Sequence, residues 1–171
     1  DLLLRRAPEM ECDLVLTGSL AWQYQEVLRL AAAARPRGKV ILTGAVNDAD
    51  LAVLIKGAQL AVVPSLYEGF CLPMVEAMAC GTPTIASRAS CLPEISGNVL
   101  RYFDPASVED MADCMQVALT DSSVRKALVE KGIQRGREFS WRRCAEETLA
   151  VLISTAGAAA HVGNRPRRSA E

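Results

Sequence analysis

Apolar residues along the chain occur in short runs that alternate with longer segments of helical spacing. The runs, rich in aliphatic and β-branched residues, predict strands at 13–18, 39–43, 59–63, 84–86 and 99–103. Between them, apolar stripes predict a helix at 21–34 and another that Asn47 or Asp48 caps. Strands that alternate with helices through short connections are typical of a parallel sheet with helices on both faces. The pattern therefore predicts an α/β protein with a doubly wound parallel sheet.

Helices are predicted to dominate the rest of the chain. Asp104 followed by Pro105 predicts a helix cap and a first helical position. Two further helices are expected at 121–138 and at 141–153. The short stretch from Ser90 to Glu94 is predicted to be a loop.

The predicted elements also indicate the domain organisation. Residues 154–171 combine Gly, Ala, Pro and Arg without an apolar stripe and are predicted to be a disordered tail. We therefore expect one domain at 1–153, followed by that tail. The leucines at 2–4 precede two arginines and a proline, which resembles the end of a helix that starts further upstream. An N-terminally truncated domain is accordingly expected.

The most informative stretch is residues 61–87, AVVPSLYEGFCLPMVEAMACGTPTIAS. It predicts a strand, a loop, a short helix and a second strand. Pro64 ends the first strand, because proline cannot donate a hydrogen bond to a sheet ladder. Pro73 suits the first position of the helix, and Gly81 suits the residue just past its end. Ligands of open parallel sheets bind at the carboxyl ends of the strands, so the loop after Pro64 is the expected binding region.

Two carboxylates flank the expected binding region, Glu68 in the loop and Glu76 one turn into the helix. Helical side chains tilt toward the N-terminus, so both carboxylates are expected to face one crevice. Between them, the amides of Phe70, Cys71 and Leu72 lead into the unpaired N–H groups of the helix start, an arrangement that binds phosphate. Each glutamate taken singly also has a simpler interpretation. Glu76 would only offset the helix dipole, and Glu68 would be a solvated loop residue. The combination favours a binding site.

The same residues resemble a known signature. The segment from Pro64 to Pro83, P-S-x-x-E-G-F-x-L-P-x-x-E-A-M-A-x-G-x-P, is similar to that of retaining, nucleotide-sugar-dependent glycosyltransferases of the GT-B architecture. This family includes the group 1 and glycogen-synthase-like enzymes. The likeness extends from residue 1 to about Leu152. It implies that the chain is the Rossmann-like, C-terminal donor-binding domain, which is one half of a GT-B fold.

The resemblance also implies a chemistry. The substrate would be a nucleotide diphosphate sugar, bound without a cofactor or a metal. Glu76 would accept hydrogen bonds from the ribose, whereas Glu68, the catalytic candidate, would contact the transferred sugar and favour the positive charge at its anomeric carbon. The diphosphate would be bound along the main chain of Gly69, Phe70, Cys71 and Leu72. An acceptor saccharide or lipid would be bound through an N-terminal GT-B domain, and the chain alone is expected to transfer no sugar.

Three further positions bear on this interpretation. Ala45 and Val46 follow Gly44 at the end of a predicted strand, where relatives place contacts to the nucleotide base. Gly44 fits a simple turn glycine equally well. At Cys71 the family commonly has glycine, so the side chain either crowds the phosphate or is tolerated because only its N–H is used. The stretch from Ser90 to Glu94 resembles the family's S-x-L-P-E, which lies near the donor site.

Charge, apolar runs and cysteine spacing limit the kinds of partner that the protein is expected to bind. A formal net charge of −1 gives no electrostatic footprint for nucleic acid, and no apolar run approaches the ~20 residues of a membrane span. The 6 cysteines are scattered without a C-x-x-C pair, which favours reduced thiols over a disulfide framework or a zinc site. We therefore expect a cytoplasmic protein. The resemblance leaves open peripheral contact at the inner face of the membrane through the missing N-terminal domain.

Other functions fit parts of the pattern. A non-catalytic nucleotide-sugar-binding subunit, or a degenerate fragment that needs a partner domain, would have the same residues. A different doubly wound module, such as a flavodoxin-like receiver or an epimerase domain, would share the fold. The turn Leu16-Thr17-Gly18-Ser19 lacks G-x-G-x-x-G, which argues against dinucleotide binding. A purely structural role leaves both glutamates without a purpose.

Overall fold

The structure, a computed structural model, describes residues 2–19, 24–33 and 38–163, with side chains as far as 156. The chain divides into two compact units, residues 1–136 and 137–171. The elements of the first unit are α1 (Leu2–Arg6), β1 (Leu14–Thr17), α2 (Tyr24–Ala33), β2 (Val40–Gly44), α3 (Asp48–Gly57), β3 (Ala61–Val63), α4 (Leu72–Ala79), β4 (Thr84–Ser87), α5 (Leu92–Ser96), β5 (Arg101–Phe103), α6 (Val108–Thr120) and α7 (Ser122–Gly136). The second unit contains α8 (Trp141–Gly163).

All the described strands pair in parallel. β1 pairs with β2, β3 with β4, and β4 with β5, so the described strands form two groups, β1–β2 and β3–β4–β5. In the second group, Val62 lies opposite Ile85, and Ile85 lies opposite Arg101. Parallel strands joined by helices are the predicted α/β architecture, and that prediction is confirmed. The carboxyl ends of β3 and β4 therefore lie side by side, which positions the loops that follow them.

The core is built around β4. All four residues of this strand are buried, as expected for a strand with a neighbour on each side. Ile85 packs with β5 and with the inner faces of α6 and α7, in a cluster formed by Ile85, Phe103, Cys114, Ala118 and Leu128. In β1 and β2, by contrast, Leu14 and Leu42 are 49% and 41% exposed. The loop between β3 and α4 is thus adjacent to the best-packed part of the sheet.

Helix α4 lies against α7 at a very close approach. A β-carbon placed on Gly136 would lie 2.9 Å from the backbone nitrogen of Ala79, closer than real β-carbons come to a neighbour. Met78, one residue earlier in α4, is completely buried and lies near Gly132, one turn before Gly136. Glycine at position 136 therefore allows α7 to pack directly against the backbone of α4.

Several local predictions are confirmed. Asn47 caps α3, since its side chain accepts a hydrogen bond from the Asp50 amide. Gly81 follows α4 with a φ of 75°, the left-handed conformation that favours glycine after a helix. Helix α2 is described from Tyr24 to Ala33, and the predicted residues 21–23 and 34 lie outside the described part of the chain.

Three local predictions differ from the structure. The cap of α6 is Ser107, whose hydroxyl accepts from the Asp110 amide, whereas Asp104 accepts from the Ala106 amide and forms a turn before the helix. Part of the predicted loop at 90–94 is helical, because α5 begins at Leu92. Helix α8 continues to Gly163, beyond the predicted end at 153. Alanine is the strongest helix former, and the alanine-rich stretch 156–160 extends the helix. Residues 164–171 of the predicted tail lie outside the described residues.

Candidate functional site

The candidate site is the loop between β3 and α4, at the carboxyl end of a parallel strand. β3 ends at Val63, and Pro73, which was predicted to lie at the start of the helix, lies in the first turn of α4. Pro73 has no N–H to leave unpaired there. The next two amides, of Met74 and Val75, both donate to the carbonyl of Cys71, at 3.1 and 3.5 Å. The local strand–loop–helix prediction is therefore confirmed, and it places the loop where ligands of such sheets bind.

Glu68 is held by hydrogen bonds at both its side chain and its main chain. The Ser65 hydroxyl donates to Oε1 of the Glu68 carboxylate at 2.8 Å. The carbonyl of Glu68 accepts from the Ser90 hydroxyl at 2.8 Å and from the Cys91 thiol at 3.2 Å. In addition, the Ser87 hydroxyl donates to the carbonyl of Ser65. The last residue of β4 and the segment after it thus fix both ends of the stretch from Ser65 to Glu68.

Glu76 lies on the outer side of α4. Its side chain is exposed, whereas Val75 and Ala77 on either side of it are buried. Its carbonyl accepts from the Cys80 amide at 2.9 Å and belongs to the helix itself. Glu76 is therefore exposed to solvent one turn into α4, and the opposite face of this helix is buried in the core.

The Cys71 thiol lies within the electrostatic range of both glutamates. Burial raises its pKa, and the nearby Met74 backbone N–H acts in the opposite direction. The charges of Glu68 and Glu76, together with Cys91, add to the increase in the pKa of Cys71. Along the chain, Glu68 lies in the loop before the loop–helix junction and Glu76 lies in α4 after it.

The backbone at Cys71 is in the left-handed conformation, with a φ of 68°. Cys71 is only 6% exposed, so its thiol is buried and is not directed into solvent. Within the described residues, neither the Cys71 nor the Leu72 backbone N–H meets a protein acceptor. Two donors at the positive end of a helix are suited to an anion. Of the two interpretations of Cys71, the geometry favours the one in which only its N–H is used.

Ala45 and Val46, the residues predicted to contact the nucleotide base, follow Gly44 at the end of β2 and not the loop between β3 and α4. Gly44 has a φ of 66°, and its carbonyl accepts from the Gly18 amide at 2.9 Å, which ties the ends of β1 and β2 together. This bond gives Gly44 a structural role as a turn residue. Among the described residues, no hydrogen bond joins Ala45 or Val46 to the loop that carries Glu68.

The sequence missed the residues that hold the loop. No spacing or charge pattern in the sequence singles out the four residues that donate to this loop or to Glu68, which are Ser65, Ser87, Ser90 and Cys91. The likeness of the stretch 90–94 to S-x-L-P-E was the one indication that it lies nearby. In the described part of the chain, no cluster of three or more His, Cys, Asp or Glu side chains could hold a metal ion. No described helix is long and apolar enough to cross a membrane.

Comparison with known proteins identifies the class. Residues 2–135 match the family described as glycosyl transferases group 1, and the chain belongs to this family. It is 33% identical over 147 residues to O-antigen chain mannosyltransferase B of Escherichia coli, covering 86% of this chain and 39% of that protein. It is 43% identical over 109 residues to the MMP alpha-(1->4)-mannosyltransferase of Mycolicibacterium hassiacum, covering 61% of this chain and 26% of that protein. The chain thus spans less than half of the length of these relatives.

Solved structures agree on the fold. Sucrose-phosphate synthase from Thermosynechococcus elongatus superposes with a TM-score of 0.72 at 28% identity, covering 85% of this chain and 39% of that one. Anabaena HepE in complex with UDP-glucose superposes with a TM-score of 0.69 at 20% identity, covering 82% of this chain and 40% of that one. The predicted GT-B architecture is therefore confirmed.

Proposed function

We propose that this chain binds a nucleotide diphosphate sugar and acts as the donor half of a retaining glycosyltransferase. The observation that carries the proposal is the junction at Cys71 and Leu72. Two backbone amides lie there for which no described residue provides an acceptor, with Glu68 before them in the loop and Glu76 after them in α4. A ligand that fits this arrangement is anionic at one point and rich in hydroxyl groups on both sides of that point. A diphosphate between a ribose and a hexose has that pattern.

The two carboxylates suit different parts of the ligand. Negative groups placed against the diphosphate would repel it, so each glutamate is best used away from the phosphates. Glu76, exposed on the outside of α4, is suited to accept hydrogen bonds from the ribose. Glu68, partly buried and bonded to Ser65, is suited to the hydroxyls of the transferred sugar and to the positive charge that develops at its anomeric carbon.

Charge on the departing diphosphate is the main change during transfer. Backbone amides of Cys71 and Leu72, fixed by the helix start, are oriented before the reaction begins. Donors preorganised toward developing charge contribute ~10²–10³ each in rate. This supports a reaction that needs no metal, in which the helix start takes the place of a cation. The acceptor, a saccharide or a lipid, would be bound by a further domain.

The comparisons support this assignment at a coarse level. Two of the relatives are named mannosyltransferases, and the superposed HepE structure contains UDP-glucose. Both are statements about those proteins. They favour a hexose as the transferred group and make nucleotide sugars the first ligands to test.

The experiment is a binding panel on the full chain. Isothermal titration would compare UDP, GDP and ADP, each with and without its glucose or mannose. We expect one nucleotide and its sugar to bind with 1:1 stoichiometry, and Glu76→Gln to weaken both. Glu130→Gln, which changes an exposed glutamate of α7 that pairs with Lys126, is the matched control and should change neither. An absence of binding by every ligand at millimolar concentration would contradict the proposal.

A further inference from the structure

We infer that Ser90 and Cys91 are positioning residues that fix the main chain of Glu68 and so aim its carboxylate at the donor sugar. This inference rests on the proposed function, because it concerns the same site. Both side chains donate to one atom, the carbonyl oxygen of Glu68, at 2.8 and 3.2 Å. Two donors on one carbonyl fix its position more tightly than either alone.

The loop around Glu68 has little apolar packing to hold it. Leu66 and Tyr67, the two residues before Glu68, are 73% and 84% exposed. The position of this stretch therefore depends mainly on polar contacts. Those contacts come from Ser87 at the end of β4, which donates to the carbonyl of Ser65, and from the segment after β4, which donates to the carbonyl of Glu68.

The segment that supplies the donors is joined to the buried part of the protein. Leu92, the first residue of α5, is completely buried. The Arg135 side chain of α7 donates from Nε to the carbonyl of Ile95 at 2.8 Å, which ties the end of α5 to the core helices. Ser90 and Cys91 thus connect the exposed loop to a segment that is joined to the buried part of the protein.

The backbone at Ser90 supports a specific use of its hydroxyl. Its φ is 50°, in the left-handed region where glycine is favoured over residues with a side chain. Glycine would adopt this conformation without strain but has no hydroxyl to donate. The bond to Glu68 is therefore what the serine side chain supplies at this position.

The closing experiment measures sugar recognition separately from nucleotide binding. Variants Ser90→Ala, Cys91→Ala and the double variant are titrated with the nucleotide and with its sugar, beside Glu68→Gln. We expect the nucleotide Kd to stay within about twofold, because the helix start is untouched. The Kd for the nucleotide sugar should rise about tenfold in the double variant, the effect of two ordinary hydrogen bonds, and in the same direction as in Glu68→Gln.

Two comparisons separate positioning from stability. Ser90→Gly relieves the left-handed strain whereas Ser90→Ala keeps it, yet both should lose sugar recognition to the same extent. Cys91→Ser retains a donor and should restore most of the sugar affinity. Thr120→Ala removes a remote hydroxyl that donates to the Gln116 carbonyl, also at 2.8 Å, and should change neither Kd.

A ligand-free measurement adds an independent readout. Hydrogen exchange of the amides at 66–69 should be faster in the double variant than in the wild type, with exchange in β4 unchanged. If Glu68→Gln weakens sugar binding but the double variant does not, or if exchange at 66–69 is unaltered, the positioning role is wrong and the proposed function stands. If the wild type binds no nucleotide, the proposed function fails and this inference fails with it. A parallel loss of nucleotide and sugar affinity would show a structural role only.

Discussion

Gly136 of α7 lies against Ala79 of α4 so closely that a β-carbon on Gly136 would come 2.9 Å from the Ala79 nitrogen and 3.0 Å from its α-carbon. Both contacts are with backbone, which cannot rotate away as a side chain can. Since α4 carries Glu76, this contact links the packing of the core to the geometry of the candidate site.

The first prediction concerns that contact. Gly136→Ala should destabilise the protein by ~1–3 kcal/mol, the usual cost of an added group in a well-packed interior. For a chain of this size this corresponds to roughly 2–4 °C in Tm per kcal/mol. Thermal or urea unfolding measures it. Gly132→Ala on the same helix is the matched control, because its β-carbon would meet Met78 at an ordinary 3.6 Å and alanine favours a helix over glycine by ~1 kcal/mol. Equal stability of the two variants would contradict the prediction.

The second prediction separates the two glutamates. Glu76→Gln should weaken the nucleotide and the nucleotide sugar alike, because both contain the ribose. Glu68→Gln should leave the nucleotide Kd unchanged and raise the Kd of the sugar donor, since Glu68 is proposed to contact only the transferred sugar. Titration of both variants with both ligands decides this. The assignment is wrong if the two substitutions have the same effect on both ligands.

The third prediction isolates the backbone strain at Cys71. Cys71→Gly and Cys71→Ala both remove the buried thiol, but only glycine relieves the φ of 68°. The glycine variant should therefore be more stable than the alanine variant by ~1 kcal/mol, the lower end of the cost of a left-handed L-residue. Urea unfolding of the two variants provides the measurement. An alanine variant as stable as the glycine variant would contradict the prediction, because it would show that the backbone at position 71 relaxes out of the left-handed conformation.

The fourth prediction concerns thiol reactivity. Burial raises the pKa of both Cys71 and Cys114, whereas Cys144 on α8 is exposed. The thiolate is the reactive form, so iodoacetamide at pH 8 should modify Cys144 well before Cys71 or Cys114. Peptide mapping of a time course by mass spectrometry measures the order. Early labelling of Cys71 in the folded protein would contradict its burial.

A pH dependence follows from the same thiols. For Cys114, burial raises the pKa above its ordinary 9.0, and Arg101 acts in the opposite direction. The unfolded chain therefore loses this proton first, and the stability that the neutral thiol contributes is complete below pH 9.0 and is lost as the pH rises through the folded-state pKa. Unfolding in urea between pH 8 and pH 11 should show a smaller decline in Cys114→Ala than in the wild type. Cys144→Ala, which changes an exposed thiol, is the control and should follow the wild type.

Much of the fold could be predicted because its signals are local. Pro73 and Gly81 mark the two ends of α4 through backbone preferences that act within a few residues, and Asn47 does the same for α3. Where two local signals competed, the structure was needed. Asp104 and Ser107 are both good caps, and the sequence alone favoured the one followed by proline. The alanine-rich end of α8 has a high helical propensity but no apolar stripe. The prediction relied on the stripe and therefore ended the helix too early.

The candidate site was predictable only in part. Glu68 and Glu76 were predicted because they flank a helix start, one in the loop and one within the helix, and because their spacing of 8 positions resembles that of the family signature. The bonds from Ser90 and Cys91 to Glu68 span 22 and 23 positions and end on a main-chain carbonyl. An acceptor of this kind is present in every residue, so no side-chain pattern marks it. The contact of Gly136 with Ala79 is similar, because it depends on the distance between two helices.

The bonds that hold the Glu68 loop end on carbonyls, and this has a consequence for how the protein can change. A carbonyl is the same whatever side chain its residue has. Leu66 and Tyr67, exposed between the two anchored carbonyls, can therefore be replaced without moving the carboxylate beside them. Sequence variation at positions 66 and 67 is therefore compatible with an unchanged set of bonds from Ser87, Ser90 and Cys91 to the main chain on either side.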